Sequence, residues 1–90
     1  MVDMPIGRIV RSKAGRDKDR VFVVIAEVDD KHVLIADGDL RKIEKPKKKK
    51  IIHLQKYNAV AENVREKLLN KKTVTNSDLI EALKQYKENN

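Results

Sequence analysis

The chain has 90 residues, of which 39% are charged, with 21 Lys and Arg against 14 Asp and Glu and a formal net charge of +7. That length bounds it to one small domain, with at most an appendage and a modest core. The absence of cysteine excludes disulfides and thiolate metal sites.

The first residues, Met1-Val2-Asp3-Met4-Pro5, lack the charged and apolar regions of a secretory signal. No apolar run approaches the roughly 20 residues needed to cross a bilayer. A soluble, cytoplasmic protein with no membrane association is expected. Ile9-Val10 is a first short apolar run. A basic segment follows, Arg11-Ser12-Lys13-Ala14-Gly15-Arg16-Asp17-Lys18-Asp19-Arg20, with the composition of a loop that turns back sharply. Val21-Phe22-Val23-Val24-Ile25-Ala26 is β-branched and aromatic with no helix cap before it, which predicts a strand buried on both faces. These two runs form a hairpin with a cationic tip.

Val28-Asp29-Asp30-Lys31 reads as a short turn, and His32-Val33-Leu34-Ile35-Ala36 as the next strand. Asp37-Gly38 is the strongest short hairpin signal, because glycine accepts positive φ at no steric cost. Asp39-Leu40-Arg41-Lys42-Ile43-Glu44 follows, with Leu40 and Ile43 as its inward candidates. Pro46 and four lysines break the pattern, and Ile51-Ile52-His53-Leu54 closes the set. Five short strands within about 50 residues predict a small barrel rather than an open sheet.

From Tyr57 the period changes. Tyr57, Val60, Ala61, Val64 and Leu68 recur at helical spacing, predicting an amphipathic helix over 59–70 with Asn58 as N-cap and Asn70-Lys71-Lys72 as its end. Thr75 three residues before Asp78 is a capping-box variant that opens a second helix. Leu79, Ile80, Leu83 and Tyr86 form its apolar stripe, and the tail 88–90 is expected to fray. Two short helices are unstable alone, so they pack on each other, on the barrel or on another molecule.

The charge is uneven. Residues 1–56 hold 15 basic and 9 acidic side chains, and residues 57–90 hold 6 and 5. A basic half joined to a nearly neutral one is the asymmetry of a nucleic-acid binder. Arg41, Lys42, Lys45, Lys47, Lys48, Lys49 and Lys50 place seven cations within ten residues. Like charges at that density keep a loop extended in solvent. It is then either a solvated loop or a flexible phosphate-binding arm. At the hairpin tip Arg8, Arg11, Arg16 and Arg20 can bind phosphate bidentately, assisted by Lys13, Lys18, Ser12 and the backbone around Gly15. The alternative is a turn held by Asp17 and Asp19 paired with neighbouring cations. His53 is a candidate phosphate contact beside them, whereas His32 reads as a surface residue.

Phe22 belongs to the core, and Tyr57 and Tyr86 read as packing residues. Base stacking by exposed aromatics is therefore poorly supported, and structured RNA read through backbone and shape fits better. Asp37-Gly38-Asp39 lacks the rest of a calcium loop. No nucleophile–base pair, phosphate-cradling glycine loop or metal-ligand spacing occurs. The chain reads as a non-enzyme without cofactor or metal.

Gly7, Ile9, Val10, the loop Gly15-Arg16-Asp17-Lys18-Asp19-Arg20 and the strand 21–25 together resemble the KOW motif of ribosomal proteins and transcription elongation factors. The chain is similar to small bacterial KOW-domain RNA-binding proteins, which are related to a KOW-containing large-subunit ribosomal protein of archaea and eukaryotes. Glu44-Lys45-Pro46-Lys47-Lys48-Lys49-Lys50 leading to His53-Leu54 also resembles that group. The likeness covers most of residues 1–56 and, more loosely, the helices. It departs at Asp19, where the family usually has glycine, although Asp tolerates the left-handed region better than most residues. The resemblance implies an SH3-like barrel with loop 12–20 on its RNA-contacting surface. The expected architecture is thus mainly β with an α appendage: a five-stranded SH3-like barrel over 5–56 and a helical hairpin over 58–87. The expected function is binding of structured, ribosomal RNA by a monomer, with ribosomal proteins as further partners. A KOW-type protein-interaction module of the transcription machinery is the rival.

Overall fold

A computed structural model describes residues 5–88, with side chains through Tyr86. Of the tail expected to fray, Glu88 is the last helical residue, and Asn89 and Asn90 lie outside the described residues. The chain is mainly β, with five antiparallel strands in one open sheet and two helices. The strands are β1 (Arg8–Ser12), β2 (Val21–Glu27), β3 (His32–Ala36), β4 (Lys47–Lys50) and β5 (Leu54–Val60). The helices are α1 (Glu62–Leu69) and α2 (Asn76–Glu88). The sheet order is β4-β3-β2-β1-β5, so the first four strands meander and β5 returns to the free edge of β1. Among the described residues no helix is long and apolar enough to cross a membrane.

Strand alternation divides the core. Ile9, Val21, Val23 and Ala36 face the helices, where they pack with Ala61, Val64, Val74, Leu79 and Leu83. Val10, Phe22, Val24, Val33, Ile35 and Leu54 form a second cluster. The expected double-faced burial of β2 is therefore observed, and each large side chain it contributes is worth about 1.5–3 kcal/mol of transfer free energy.

Among the described residues the second cluster is packed by Ile51 and by no residue of α1 or α2, so the sheet must cover the rest of it by curling. Chain connectivity imposes the same curl. Lys50 is paired with His32 at one edge of the sheet and Leu54 with Ser12 at the other. In a flat sheet those edges would stand about 19 Å apart, at ~4.8 Å per strand. Four residues of chain reach at most about 14 Å, and three of them form a 3-10 turn, Ile51–His53. A bulge in β2 at Ile25 and an irregular register between Arg8 and Val10 provide the extra bending.

Several expectations need correction. The lysine run is not an extended arm: Lys47–Lys50 is strand β4, in register with 32–35. Alternation sends Lys48 and Lys50 outward and turns Lys47 and Lys49 inward, which relieves the crowding of like charge. Lysines are also suited to an edge strand, where they oppose pairing with other chains.

Asp37-Gly38 does not close a two-residue hairpin. It begins a ten-residue connection, 37–46, in which Asp37 accepts the N–H groups of Asp39 and Arg41. Leu40 is exposed and only Ile43 packs inward.

Residues 51–53 are not strand, and the first helix starts later than its spacing indicates. Tyr57 and Val60 lie in β5, and Ala61, not Asn58, is the N-cap, without a side-chain cap bond. The three-residue spacing of Tyr57 and Val60 imitates a helix, but the open edge of β1 claims these residues first. Asn70 ends α1 as expected.

The capping box of α2 is reciprocal. Asp78 N–H donates to Thr75 Oγ1 at 3.1 Å and Thr75 N–H to Asp78 Oδ2 at 2.9 Å. In the stripe of α2, Leu79 and Leu83 are buried, whereas Ile80 is exposed.

Two predictions follow from this packing. Gly15 and Gly38 both have φ of +81°. A Cβ on Gly38 would collide with the Asn76 carbonyl at the start of α2, whereas one on Gly15 would meet only the end of the Lys49 side chain. Urea unfolding should show Gly15→Ala costing about 1 kcal/mol and Gly38→Ala about 2–4 kcal/mol. The second concerns Asp78, whose carboxyl is held below the ordinary aspartate range by the Thr75 amide first and by Lys67 next. A depressed folded value contributes stability above the unfolded pKa, and that contribution is lost as pH falls through the folded one. Asp78→Asn should therefore flatten the acid limb of stability below about pH 4, as read by thermal melts.

Candidate nucleic-acid interface

The β1–β2 loop, residues 13–20, and the β3–β4 loop, residues 37–46, lie at one end of the sheet and are joined by two ion pairs that cross between them. Arg41 of the second loop reaches Asp17 of the first, with Nε donating to Oδ2 at 3.1 Å and a terminal nitrogen to Oδ1 at 3.3 Å. Arg20 of the first loop reaches Asp37 of the second at 3.2 Å and Asp39 at 3.8 Å. Both central carboxylates are buried, Asp17 at 2% exposure and Asp37 at 0%. A buried carboxylate is tolerable only when paired and hydrogen-bonded, so each loop requires the other.

The sequence carries a signal for this arrangement that residue-by-residue reading missed. Each loop holds two aspartates one residue apart followed closely by an arginine, Asp17-Lys18-Asp19-Arg20 and Asp37-Gly38-Asp39-Leu40-Arg41.

The second loop is also tied to the helices. Asn76 Oδ1 accepts the Ile43 N–H at 2.8 Å, while its amide nitrogen donates to both Glu44 oxygens at 2.9 and 3.0 Å. That amide, ahead of the backbone and Lys42, holds the Glu44 carboxyl below its ordinary range.

The first loop turns through Gly15 and through Asp19, whose φ is +72°. Asp19 thus occupies the left-handed region expected for a position that glycine would fill. The alternative, a turn held by Asp17 and Asp19 paired with neighbouring cations, forms in part: Asp19 lies 3.9 Å from Arg11 of the same hairpin, whereas Asp17 pairs across to Arg41 of the other loop.

The site candidates separate on these contacts. Arg20 and Arg41 are committed to carboxylates. Arg11 donates to Gln55 Oε1 at 2.7 Å. Arg8, at the opposite end of β1, donates to the Tyr57 carbonyl at 3.1 Å and is not brought to the tip. Ser12 and Lys49 are buried, which corrects their assignment as direct RNA contacts: Ser12 Oγ donates to the Ala14 carbonyl at 2.9 Å and Lys49 Nζ to the same oxygen at 3.0 Å.

His53 sits in the 3-10 turn rather than on a strand face, half-buried, and its carbonyl accepts the Lys13 N–H. His32 is half-buried, with Nδ1 2.9 Å from Asp29 Oδ1. Among the described residues, Lys13, Arg16, Lys18, Lys42, Lys45, Lys48 and Lys50 are exposed and form no ion pair. Lys47 is half-buried and Gly15 exposed.

No aromatic platform accompanies these cations. Phe22 is in the core, and the rings of Tyr57 and Tyr86 pack against each other with centroids 5.7 Å apart. Among the described residues no cluster of histidine and carboxylate groups could hold a metal. The arrangement can therefore attract and seat anions. Compared with known proteins, the chain matches no family model and no curated protein.

The crossed pairs make a measurable difference between partners. Arg41→Met leaves the buried Asp17 without its guanidinium and should cost about 2–4 kcal/mol, with the Asp17→Asn/Arg41→Met double variant recovering part of it. Arg11→Met at the exposed Asp19 contact should change stability by less than about 1 kcal/mol. Denaturant unfolding of the double-mutant cycle reads both.

Proposed function

We propose that this protein binds structured RNA, as a monomeric, KOW-type SH3-like barrel associated with the ribosome in the cytoplasm. It recognises ribosomal RNA, with ribosomal proteins as neighbours, and acts by binding rather than catalysis. The observation that carries the reading is the set of exposed, unpaired cations on and beside two mutually braced loops. Lys13, Arg16 and Lys18 project from the first loop, Lys42 and Lys45 from the second, and Lys48 and Lys50 from the outer side of β4.

The meander with β5 returning to β1, the curl, and the 3-10 turn before β5 support the barrel assignment. The lack of exposed aromatic rings supports backbone and shape recognition over reading of unstacked bases. Lysines act as point charges without a base code, so affinity should depend on salt and on A-form geometry more than on sequence.

A single observation favours the rival, a KOW-type protein-interaction module of the transcription machinery. Ile52 is 75% exposed, beside Ile51 in an apolar depression bordered by Asp30, Lys31 and Lys50.

Charge reversal tests the RNA reading. Lys18→Glu with Lys48→Glu should leave folding intact, weaken binding of an RNA duplex and lower the log–log salt slope by about 0.7–0.9 per lost phosphate contact. Duplex DNA should compete poorly. Unchanged affinity in the folded double variant would remove these cations from the interface. Ile52→Asp should leave RNA affinity unaltered; loss of a protein partner in that variant, with ribosomal particles still unbound, would favour the rival. Sedimentation with ribosomal particles, weakening as salt rises and accompanied by crosslinks to ribosomal RNA, is the corresponding result in lysate.

A further inference from the structure

Lys49 is the one lysine of β4 that is buried, at 8% exposure, and it forms no ion pair among the described residues. Its ammonium sits beneath the hairpin tip, 3.0 Å from the Ala14 carbonyl and 3.3 Å from where a Cβ on Gly15 would lie. Ser12 Oγ, also buried, donates to that carbonyl at 2.9 Å. Two inward donors thus hold one peptide plane.

That peptide is trans, so its C=O and N–H point in opposite directions. With the Ala14 oxygen drawn inward, the Gly15 N–H is turned outward. The N–H groups of Gly15, Arg16 and Asp17 donate to no group among the described residues, while the Gly15 carbonyl accepts Lys18 N–H at 3.2 Å and so closes the turn. Successive free amides in a tight turn that includes a left-handed residue make an anion-binding concavity. Lys13, Arg16 and Lys18, all exposed, lie within the same loop.

We infer that the Gly15–Arg16–Asp17 backbone is a seat for a single phosphate group, and that buried Lys49 is its positioning residue. Lys49 orients the Ala14–Gly15 peptide and supplies an uncompensated positive charge below it, without touching the ligand. Gly15 is required because a side chain there would stand between the ammonium and the seat. This deepens the RNA-binding reading by naming what the tip grips, and the phosphate of an RNA backbone is the ligand in that context. The seat itself is defined by phosphate chemistry alone.

The test uses the full chain labelled with 15N, titrated with inorganic phosphate and, separately, with an RNA duplex. In the wild type the Gly15 and Arg16 amide resonances should shift saturably with phosphate. Lys49→Met should remain folded and weaken both ligands about tenfold, the effect of losing one charge-assisted interaction. Its RNA salt slope should stay unchanged, because a buried charge releases no counterions. Lys18→Met should instead lower the slope.

Ser12→Ala removes the second donor without altering charge. It should weaken phosphate binding to a smaller extent, which keeps the inference testable if Lys49→Met does not fold. Absence of phosphate-dependent shifts at Gly15 and Arg16 overturns the seat. Undiminished affinity in Lys49→Met, or a slope reduced as in Lys18→Met, overturns the positioning role. Saturable phosphate binding at the tip without RNA-duplex binding leaves the seat standing and instead defeats the RNA-binding reading.

Discussion

The crossed pairs Arg41–Asp17 and Arg20–Asp37 organise the end of the molecule where the charge is concentrated. Both carboxylates are buried, and an ionised carboxylate in that setting is stable only with its counter-ion in place. The two loops therefore form one unit, and Asn76 extends that unit to the start of α2 through Ile43 and Glu44. A functional consequence follows from the choice of partner. Guanidinium groups are the better bidentate phosphate ligands, yet at this end two of them are committed to holding the scaffold. Most of the charge left for a ligand is on lysine ammoniums, which attract phosphate without fixing its orientation. Orientation then has to come from the backbone and from the spacing of the lysines.

A second constraint is topological. Only Ile51, Ile52 and His53 separate the strands at opposite edges of the sheet, and so short a link demands a curl. The curl provides the cover that Val10, Phe22, Val24, Val33 and Ile35 need on the side away from the helices. It also explains why a lysine from edge strand β4 can reach the carbonyl of Ala14 beyond the end of β1. The long aliphatic stem of Lys49 lies within the fold while its ammonium reaches a polar group.

Much of the fold was legible in the residues. The β-branched runs of β2 and β3 and the Thr75/Asp78 capping box are local signals, and the structure follows them closely. What escaped depends on partners distant in sequence. Four lysines read as an arm because repulsion is visible in the sequence, whereas the vacant edge of β3 that recruits them is not. Tyr57 and Val60 read as helix because three-residue spacing is ambiguous over so short a span, and only the free edge of β1 assigns them to a strand. At the site, charge type and location were legible but charge availability was not. Arg20 and Lys18 look alike in the sequence; one is committed to a buried aspartate and the other is free.

On the proposed RNA-binding reading, availability also bears on how the surface selects its ligand. On a flexible arm the lysines would adapt to any polyanion, losing backbone entropy of about 1–2 kcal/mol for each residue ordered. On β4 that cost has been met during folding, and Lys48 and Lys50 project from one side about 6.6 Å apart, two strand residues along the chain. The braced loops hold Lys13, Lys18, Lys42 and Lys45 on similarly fixed backbone. Fixed spacing gains less from a random coil than from a polyanion whose phosphates are themselves held in place. Preorganisation on both sides removes the ordering penalty from the binding step, and a folded RNA offers that match where a disordered strand does not. On the proposed reading, the rigidity that the buried aspartates impose is the source of selectivity for a surface whose side chains carry no base code.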